Sequence, residues 1–347
     1  MKILIDGHYI GERKTGLESY TLNLIREFSG EKINLLVYLP KIKSGLFRVL
    51  LGLNIVSIRL KPDILHVSYF APFVKTVPTV LTVHDLCFKT FPEAFPIKTL
   101  FAFNLFFKKS LNRADAIICV SETTKKQLVN LYDLNPDKVF TVYEASDENF
   151  KYLSNKKRLR NALNEKFGIK GDYFLVVGNI EKRKNLIPVI ESFIKLSKKN
   201  KNIQLIFAGQ NKMGDLITKK YEKEIKKGRL KILGYVSKED LNFLYNGSLA
   251  LIYNSLCEGF GLPIIEAMIT KTAVICNNLE VFNEITKDSA ITYNYKDELY
   301  RVMDKVMNDK KFRKKYQELG YRRSRFFSWD KTAKETLKVY KWAYKSK

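Results

Sequence analysis

"NSLCEGFGLPIIEAM", residues 254–268, is the stretch from which the fold can be read. Two glutamates, Glu258 and Glu266, stand eight apart around Gly-Phe-Gly-Leu-Pro. An apolar run over 249–253 precedes them and reads as a strand. A helix is predicted over 263–268, and Pro263 suits its first turn, where φ is already helical and the missing N–H would be unpaired anyway. Gly259 and Gly261 let the backbone approach a ligand closely. The amides of Phe260, Gly261 and Leu262, with the helix dipole, then form an anion site past the carboxyl end of a strand. Glu258 precedes the helix and Glu266 lies in its first turns. Carboxylates accept paired hydrogen bonds from vicinal hydroxyls, so a sugar or a ribose is a natural partner for both.

The strand–turn–helix unit repeats outward in both directions. Short apolar, β-branched runs predict strands over 2–6, 33–38, 64–67, 79–83, 116–120 and 139–142, then over 173–177, 203–208, 230–233, 249–253, 273–276 and 290–292. Helical patterns fall between them, among others over 18–28, 123–131, 186–198 and 238–246. This alternation is the signature of βαβ units and parallel sheets. Two sets of about six strands exceed what one doubly wound sheet holds, which predicts two Rossmann-like α/β domains. The join is expected over the lysine-rich segment 150–171. The N-terminal domain then covers 1–165, completed by a C-terminal helix over 326–347, and the second domain covers 166–325. Neither half carries G-x-G-x-x-G or a Walker A sequence, which argues against simple dinucleotide or P-loop chemistry.

Three other stretches sit at predicted strand ends. In "VVGNIEKRKNL", 176–186, the strand ends at Gly178 and a loop carries Arg183 and Lys184 to a helix start near Asn185. Fixed cations there can hold a diphosphate and stabilise it as a leaving group. "TVLTVHDL" places His84 and Asp85 just past a strand, whereas His66 fits structural packing better. "GERKTGLESYTLNL", 11–24, puts Gly16 just before an amphipathic helix, where a phosphate or sugar could approach the backbone.

Composition narrows the partners. The chain has 347 residues, 61 Lys+Arg against 36 Asp+Glu and a formal charge of +25, so anionic partners are favoured. Residues 310–347 alone hold 14 Lys+Arg and 3 Asp+Glu. Aromatic and basic residues mix in "FPIKTLFAFNLFFKKSLNR", 95–113, and in "KIKSGLFRVLLGL", 41–53. Such segments can lie on an anionic membrane surface or pack their rings into a core. The longest apolar stretches fall short of the roughly 18–20 residues of a bilayer span. The start, "MKILIDGHYI", reads as a first strand rather than a signal peptide. The four cysteines lie far apart without C-x-x-C, so neither a disulfide framework nor a zinc site is expected, and a reducing cytoplasm fits.

Taken in order, "TGLESYTLNL", "VHDL", "ADAIICVSE", "VVGNIEKRKNL", "LGYVSKEDLNFLY", "NSLCEGFGLPIIEAM" and "FSWDKTAKETL" resemble the family 4 retaining glycosyltransferases. That resemblance implies the GT-B fold, with two Rossmann-like domains facing across a cleft, and transfer of a hexose, mannose-like by preference, from a nucleotide-diphosphate sugar to a glycan or lipid-linked glycan. It further implies that Glu258 contacts donor-sugar hydroxyls near the Gly259, Phe260, Gly261 and Leu262 backbone, and that Glu266 binds the ribose. Arg183 and Lys184 would neutralise the leaving diphosphate, with Gly178 in the same donor site. Gly16 would approach the phosphate and His84 the reacting carbon. No cofactor and no metal are expected, and the enzyme would sit in the cytoplasm, peripheral on the inner face of the membrane. The chain departs from the family at Lys182, Cys257, Lys271 and Ala273, which bears on local turns and sugar preference. Two other readings are a nucleotide-sugar 2-epimerase of the same fold and, from charge alone, a nucleic-acid-binding protein. The second leaves both glutamates unexplained, so no nucleic acid is expected.

Overall fold

The computed structural model describes residues 1–11, 16–30, 33–40 and 45–346. Residues 12–15 and 41–44, within two of the segments singled out above, and residue 347, the last of the expected C-terminal helix, lie outside the described residues. Each run expected to be a strand forms one, with ends shifted by at most two residues. The first set is β1 (Lys2–Asp6), β2 (Asn34–Tyr38), β3 (Ile64–Ser68), β4 (Thr79–Val83), β5 (Ala116–Cys119) and β6 (Val139–Thr141). The second is β7 (Tyr173–Val177), β8 (Gln204–Ala208), β9 (Leu230–Ile232), β10 (Ala250–Tyr253), β11 (Ala273–Asn277) and β12 (Ile291–Tyr293). Every residue of β3, β4 and β7 is buried, which is why these strands read as near-continuous apolar runs.

All strand pairings are parallel. The first sheet runs β2-β1-β3-β4-β5-β6 and the second β12-β11-β10-β7-β8-β9. The strand order therefore reverses between β1 and β3 in one sheet and between β7 and β10 in the other. At such switch points the loops leaving neighbouring strands diverge to opposite faces and open a crevice at the carboxyl ends. The loop after β7 carries Gly178–Asn185 and the loop after β10 carries the Glu258 turn, so topology alone brings these two motifs together.

The chain divides into two compact units. One comprises Met1–Ala145, Glu258–Phe260 and Phe327–Lys347, the other Ser146–Cys257 and Gly261–Phe326. The helix Lys156–Phe167 thus belongs to the second unit, where its neighbour is the helix Lys238–Gly247. The helix Trp329–Lys345 packs on the helix Gly16–Ser29 and against β3, β4 and β5. Its Tyr340 hydroxyl meets His66 Nδ1 at 2.5 Å, while His66 Nε2 meets Thr82 Oγ1 at 2.7 Å. Burial, with His84 as a second cause, pushes the His66 imidazole down to about 3. His66 is therefore a neutral linker inside the core, as its sequence context indicated.

The aromatic–basic segments are divided between inside and outside. In the helix Ile97–Arg113, Phe103 stacks on Phe88 at 3.9 Å and Phe107 is fully buried, whereas Ile97 is 85% and Phe101 67% exposed. Arg48, from the aromatic–basic segment 41–53, turns inward. It is 1% exposed and forms an ion pair with Asp6 at the end of β1. Cys119 and Cys276 are free, buried thiols.

A charge left alone in a core costs far more than a pair removed together. Arg48→Ala is expected to destabilise the protein by about 3–5 kcal/mol. The double variant Asp6→Ala/Arg48→Ala should recover part of that loss in a urea unfolding series.

Candidate active site

Two loops of the second unit form one rigid seam. The Leu256 amide donates to the Arg183 carbonyl at 2.8 Å, and Ser255 Oγ donates to the same oxygen at 3.2 Å. In return Arg183 Nη1 donates to the Cys257 carbonyl at 2.8 Å and its Nη2 to Glu181 at 2.8 Å. Asn254 Nδ2 reaches the Asn185 carbonyl at 2.6 Å. The Asn277 side chain, from the end of β11, clamps Ser255 on both sides, accepting from its amide at 3.0 Å and donating to its carbonyl at 2.8 Å. The Arg183 guanidinium is thereby tied to the backbone that leads directly into Glu258.

Lys184 is deeper than a solvated loop lysine. It is buried, and its ammonium donates to the Tyr253 hydroxyl at 2.7 Å. Gly178, in the left-handed region at φ +113°, makes room for it, since a Cβ there would come within 3.3 Å of Lys184 Cε. Gly178 thus shapes the floor under the lysine. Asn185, also left-handed at φ 43°, ends the short 3-10 turn Lys182–Lys184 and starts the helix Leu186–Ser197.

The turn after β10 is built as its sequence indicated. Gly261, at φ +103°, caps the helix Leu262–Ile269, with Pro263 in the first turn. Glu266, on that helix, accepts from the Tyr245 hydroxyl at 2.8 Å. Part of its surface still meets solvent, yet its surroundings are dense enough that burial pushes its carboxyl up to about 7, against the pull of Tyr245 and Lys238. Glu258 is partly exposed. Together with Gly259 and Phe260 it belongs to the first unit, where Ser121 Oγ donates to the Gly259 carbonyl at 2.7 Å. A Cβ on Gly259 would lie 1.5 Å from the His84 carbonyl oxygen, so only glycine fits. The Phe260 ring is buried against Tyr143 and Phe327, which makes that side chain a packing element.

In the first unit His84 is partly exposed at the carboxyl end of β4, with Nδ1 on Glu144 at 2.9 Å and Nε2 3.4 Å from Ser68 Oγ. Gly16 is the first residue of the helix Gly16–Ser29. Tyr245, Tyr253, Glu144 and Asn277 were not singled out from sequence. Each is an ordinary helix, strand or loop residue until the fold sets it against a charged or backbone group.

Residues 155–323 match the profile of the glycosyl transferases group 1, and residues 38–150 that of glycosyltransferase family 4. O-antigen chain mannosyltransferase B of Escherichia coli is 27% identical over 76% of this chain and 70% of its own length. RfbU of Salmonella typhimurium, an O-antigen chain mannosyltransferase, is 31% identical over 63% of this chain, but the match spans only 57% of RfbU. Against WbdA of Escherichia coli, a serotype-specific mannosyltransferase, the match is 27% identical over 64% of this chain and spans 28% of that protein. By fold the chain is similar to sucrose-phosphate synthase of Thermosynechococcus elongatus (TM-score 0.78, 15% identity, 100% of each chain). It is also similar to WaaG, a glycosyltransferase involved in lipopolysaccharide biosynthesis (0.73, 12%, 98% and 99%). HepE of Anabaena, in complex with UDP and glucose, gives 0.71 at 16% over 97% and 98%.

The raised Glu266 carboxyl has a pH consequence. As pH rises from about 4.5 towards 7, the unfolded chain releases this proton before the folded protein does, so stability falls across that window. Glu266→Gln removes the loss. Its melting temperature relative to the parent is expected to rise between about pH 5 and pH 7 and to level off above, as a thermal unfolding series would show.

Proposed function

The chain belongs to the family 4 glycosyltransferases of GT-B fold, and from that premise we propose a retaining, metal-independent enzyme that moves a mannose-like hexose from a nucleotide-diphosphate sugar onto a glycan or lipid-linked glycan. The observation that carries this reading is the seam between the loops after β7 and β10. It ties a guanidinium and a buried ammonium to the strand-end loop that runs towards Glu258. The mannosyl preference and a role in cell-surface polysaccharide synthesis rest on the names of the O-antigen relatives. The nucleotide donor has support in HepE, whose structure holds UDP and glucose.

In this reading most of the donor contacts come from the second unit and the acceptor contacts from the first. Glu266 holds the ribose hydroxyls, Arg183 and Lys184 face the diphosphate, and Glu258 holds hydroxyls of the sugar. The backbone of Gly259, Phe260, Gly261 and Leu262 at the helix start favours the negative charge. Gly178 keeps Lys184 in place, Gly16 admits the phosphate and His84 contacts the sugar. As the C1–O bond to the diphosphate breaks, the acceptor oxygen bonds to C1 from the same face. Its proton passes to the departing phosphate oxygen, leaving a glycoside and a nucleoside diphosphate. Fixed cations aimed at developing charge do the electrostatic work, since they need no reorganisation when the bond breaks. The epimerase and nucleic-acid readings draw no support from the family matches.

The outer face of the helix Ile97–Arg113 supports a peripheral location. Exposed Ile97, Phe101 and Leu105 lie beside exposed Lys98, Lys108 and Lys109, and the helix contains no acidic residue. Among the described residues no helix is long and apolar enough to cross a membrane. Peripheral contact of this face with the anionic inner surface of the cell membrane, from the cytoplasm, fits that composition.

A thermal-shift screen against GDP-, UDP-, ADP- and TDP-sugars is expected to show stabilisation by one donor class, and a flat response to all four would refute the donor site. With that donor, Arg183→Ala and the volume-keeping Lys184→Met are each expected to lower kcat/KM by about 10²–10³-fold. Full transfer by both would sink the assignment. Binding to vesicles containing anionic lipid is expected at low salt, weakening with added salt and with Phe101→Asp.

A further inference from the structure

Two tyrosines buried in the second unit meet the helix Lys238–Gly247, and their hydroxyls are used differently. Tyr173, from β7, donates to the Leu244 carbonyl at 2.7 Å, so its hydroxyl is satisfied by backbone inside the core. Tyr245, on the helix itself and fully buried, donates instead to Glu266 Oε2 at 2.8 Å. A buried phenol needs an acceptor, and a backbone carbonyl is enough. The acceptor that Tyr245 meets is a carboxylate that keeps part of its surface in solvent.

The tyrosine is held from behind. Its carbonyl accepts from the Ser248 amide at 3.1 Å, from Ser248 Oγ at 2.9 Å and, from the residue before β11, from Thr272 Oγ1 at 2.6 Å. The ring packs edge-on against Phe150 at 5.6 Å. With backbone and ring fixed, the short tyrosine side chain leaves its oxygen little freedom. A glutamate has more rotatable bonds, and an untethered one loses rotamer entropy when a ligand immobilises it. By holding Oε2, Tyr245 orders the Glu266 carboxylate before any ligand arrives. Among the described residues that carboxylate has no other hydrogen bond, so Oε1 is left for incoming hydroxyls. The same bond favours the ionised carboxyl against the burial that raises its proton affinity. An oriented carboxylate accepts hydrogen bonds from a vicinal diol.

We propose that Tyr245 is a positioning residue for nucleotide recognition, fixing the Glu266 carboxylate so that it meets the ribose hydroxyls of the donor already oriented. The inference rests on the glycosyltransferase reading above, in which Glu266 holds the ribose. It concerns binding of the nucleotide and not cleavage of the sugar–phosphate bond, so removing the hydroxyl acts on donor affinity and leaves turnover at saturation nearly untouched.

The full chain is titrated calorimetrically with GDP, UDP and ADP, and the nucleotide that binds best is then compared with its 2′-deoxy and 3′-deoxy forms. Tyr245→Phe keeps the ring and removes only the hydroxyl. The expected result is a Kd for the ribose form raised roughly 5–20-fold in Tyr245→Phe. For a deoxy form that lacks the hydroxyl Glu266 holds, variant and parent should agree within about twofold, because nothing is left for the oriented carboxylate to accept. In transfer assays the variant should raise donor KM while kcat stays within about twofold of the parent. The double variant Tyr245→Phe/Glu266→Gln should bind no worse than Glu266→Gln, since Tyr245 acts through Glu266. An equal loss for ribose and deoxyribose forms, or no loss at all, would make Tyr245 a packing residue and overturn the proposal. If Glu266→Gln itself fails to distinguish the ribose form from both deoxy forms, the ribose assignment falls instead. A parent that binds none of the three nucleotides would refute the glycosyltransferase reading itself.

Discussion

The hydrogen bond from the Leu256 amide to the Arg183 carbonyl, 2.8 Å long, joins two loops that are more than seventy residues apart in sequence. It exists because β7 and β10 are neighbours in a parallel sheet whose strand order reverses between them. Loops leaving such strands would otherwise diverge. Here they are sewn together by backbone, by Ser255 and Asn254, and by the guanidinium of Arg183 on the Cys257 carbonyl. The cationic loop and the chain that leads towards the carboxylate turn are thereby held together within the second unit. That arrangement suits chemistry whose barrier depends on charge held in fixed positions.

The same seam explains how a chain of formal charge +25 tolerates two glutamates at its site. The carboxylates occupy different environments. Glu258 is partly open in the loop, while Glu266 is set among Tyr245, Lys238 and Asp147, where burial raises its proton affinity to about 7. Lys184 lies under the loop, with its ammonium on the Tyr253 hydroxyl and its stem against Gly178. Among these charged groups Lys184 is the buried one, while Arg183, Glu258 and Glu266 each keep part of their surface in solvent.

The histidines in β3 and just after β4 show how burial separates similar side chains. His66 is enclosed by Thr82 and Tyr340, stays neutral and ties the C-terminal helix to the first sheet. His84 keeps a share of solvent and leans on Glu144. Tyr69, between them in sequence, holds a left-handed turn at the end of β3. Strain stored at the ends of parallel strands, rather than in their middles, is the pattern expected where a sheet is rigid and its loops carry recognition.

The sequence by itself determined the strand and helix series, two parallel sheets and the location of the Gly-Phe-Gly-Leu-Pro turn, because apolar periodicity, proline and glycine act on their immediate neighbours in the chain. Arg183, Glu258 and Glu266 were legible for the same reason, being charged residues fixed beside such signals. What only the tertiary structure decided is everything that depends on residues far apart in the chain. Arg48 sits in a basic amphipathic segment, and only the fold brings Asp6 against it in the interior. Phe101 and Phe103, two residues apart, part company because the helix turns one to solvent and stacks the other on Phe88. Asn277 and Tyr245 carry no local signal at all. Their roles arise from long-range hydrogen bonds, and a polar side chain acquires its partner only when the sheet brings it there.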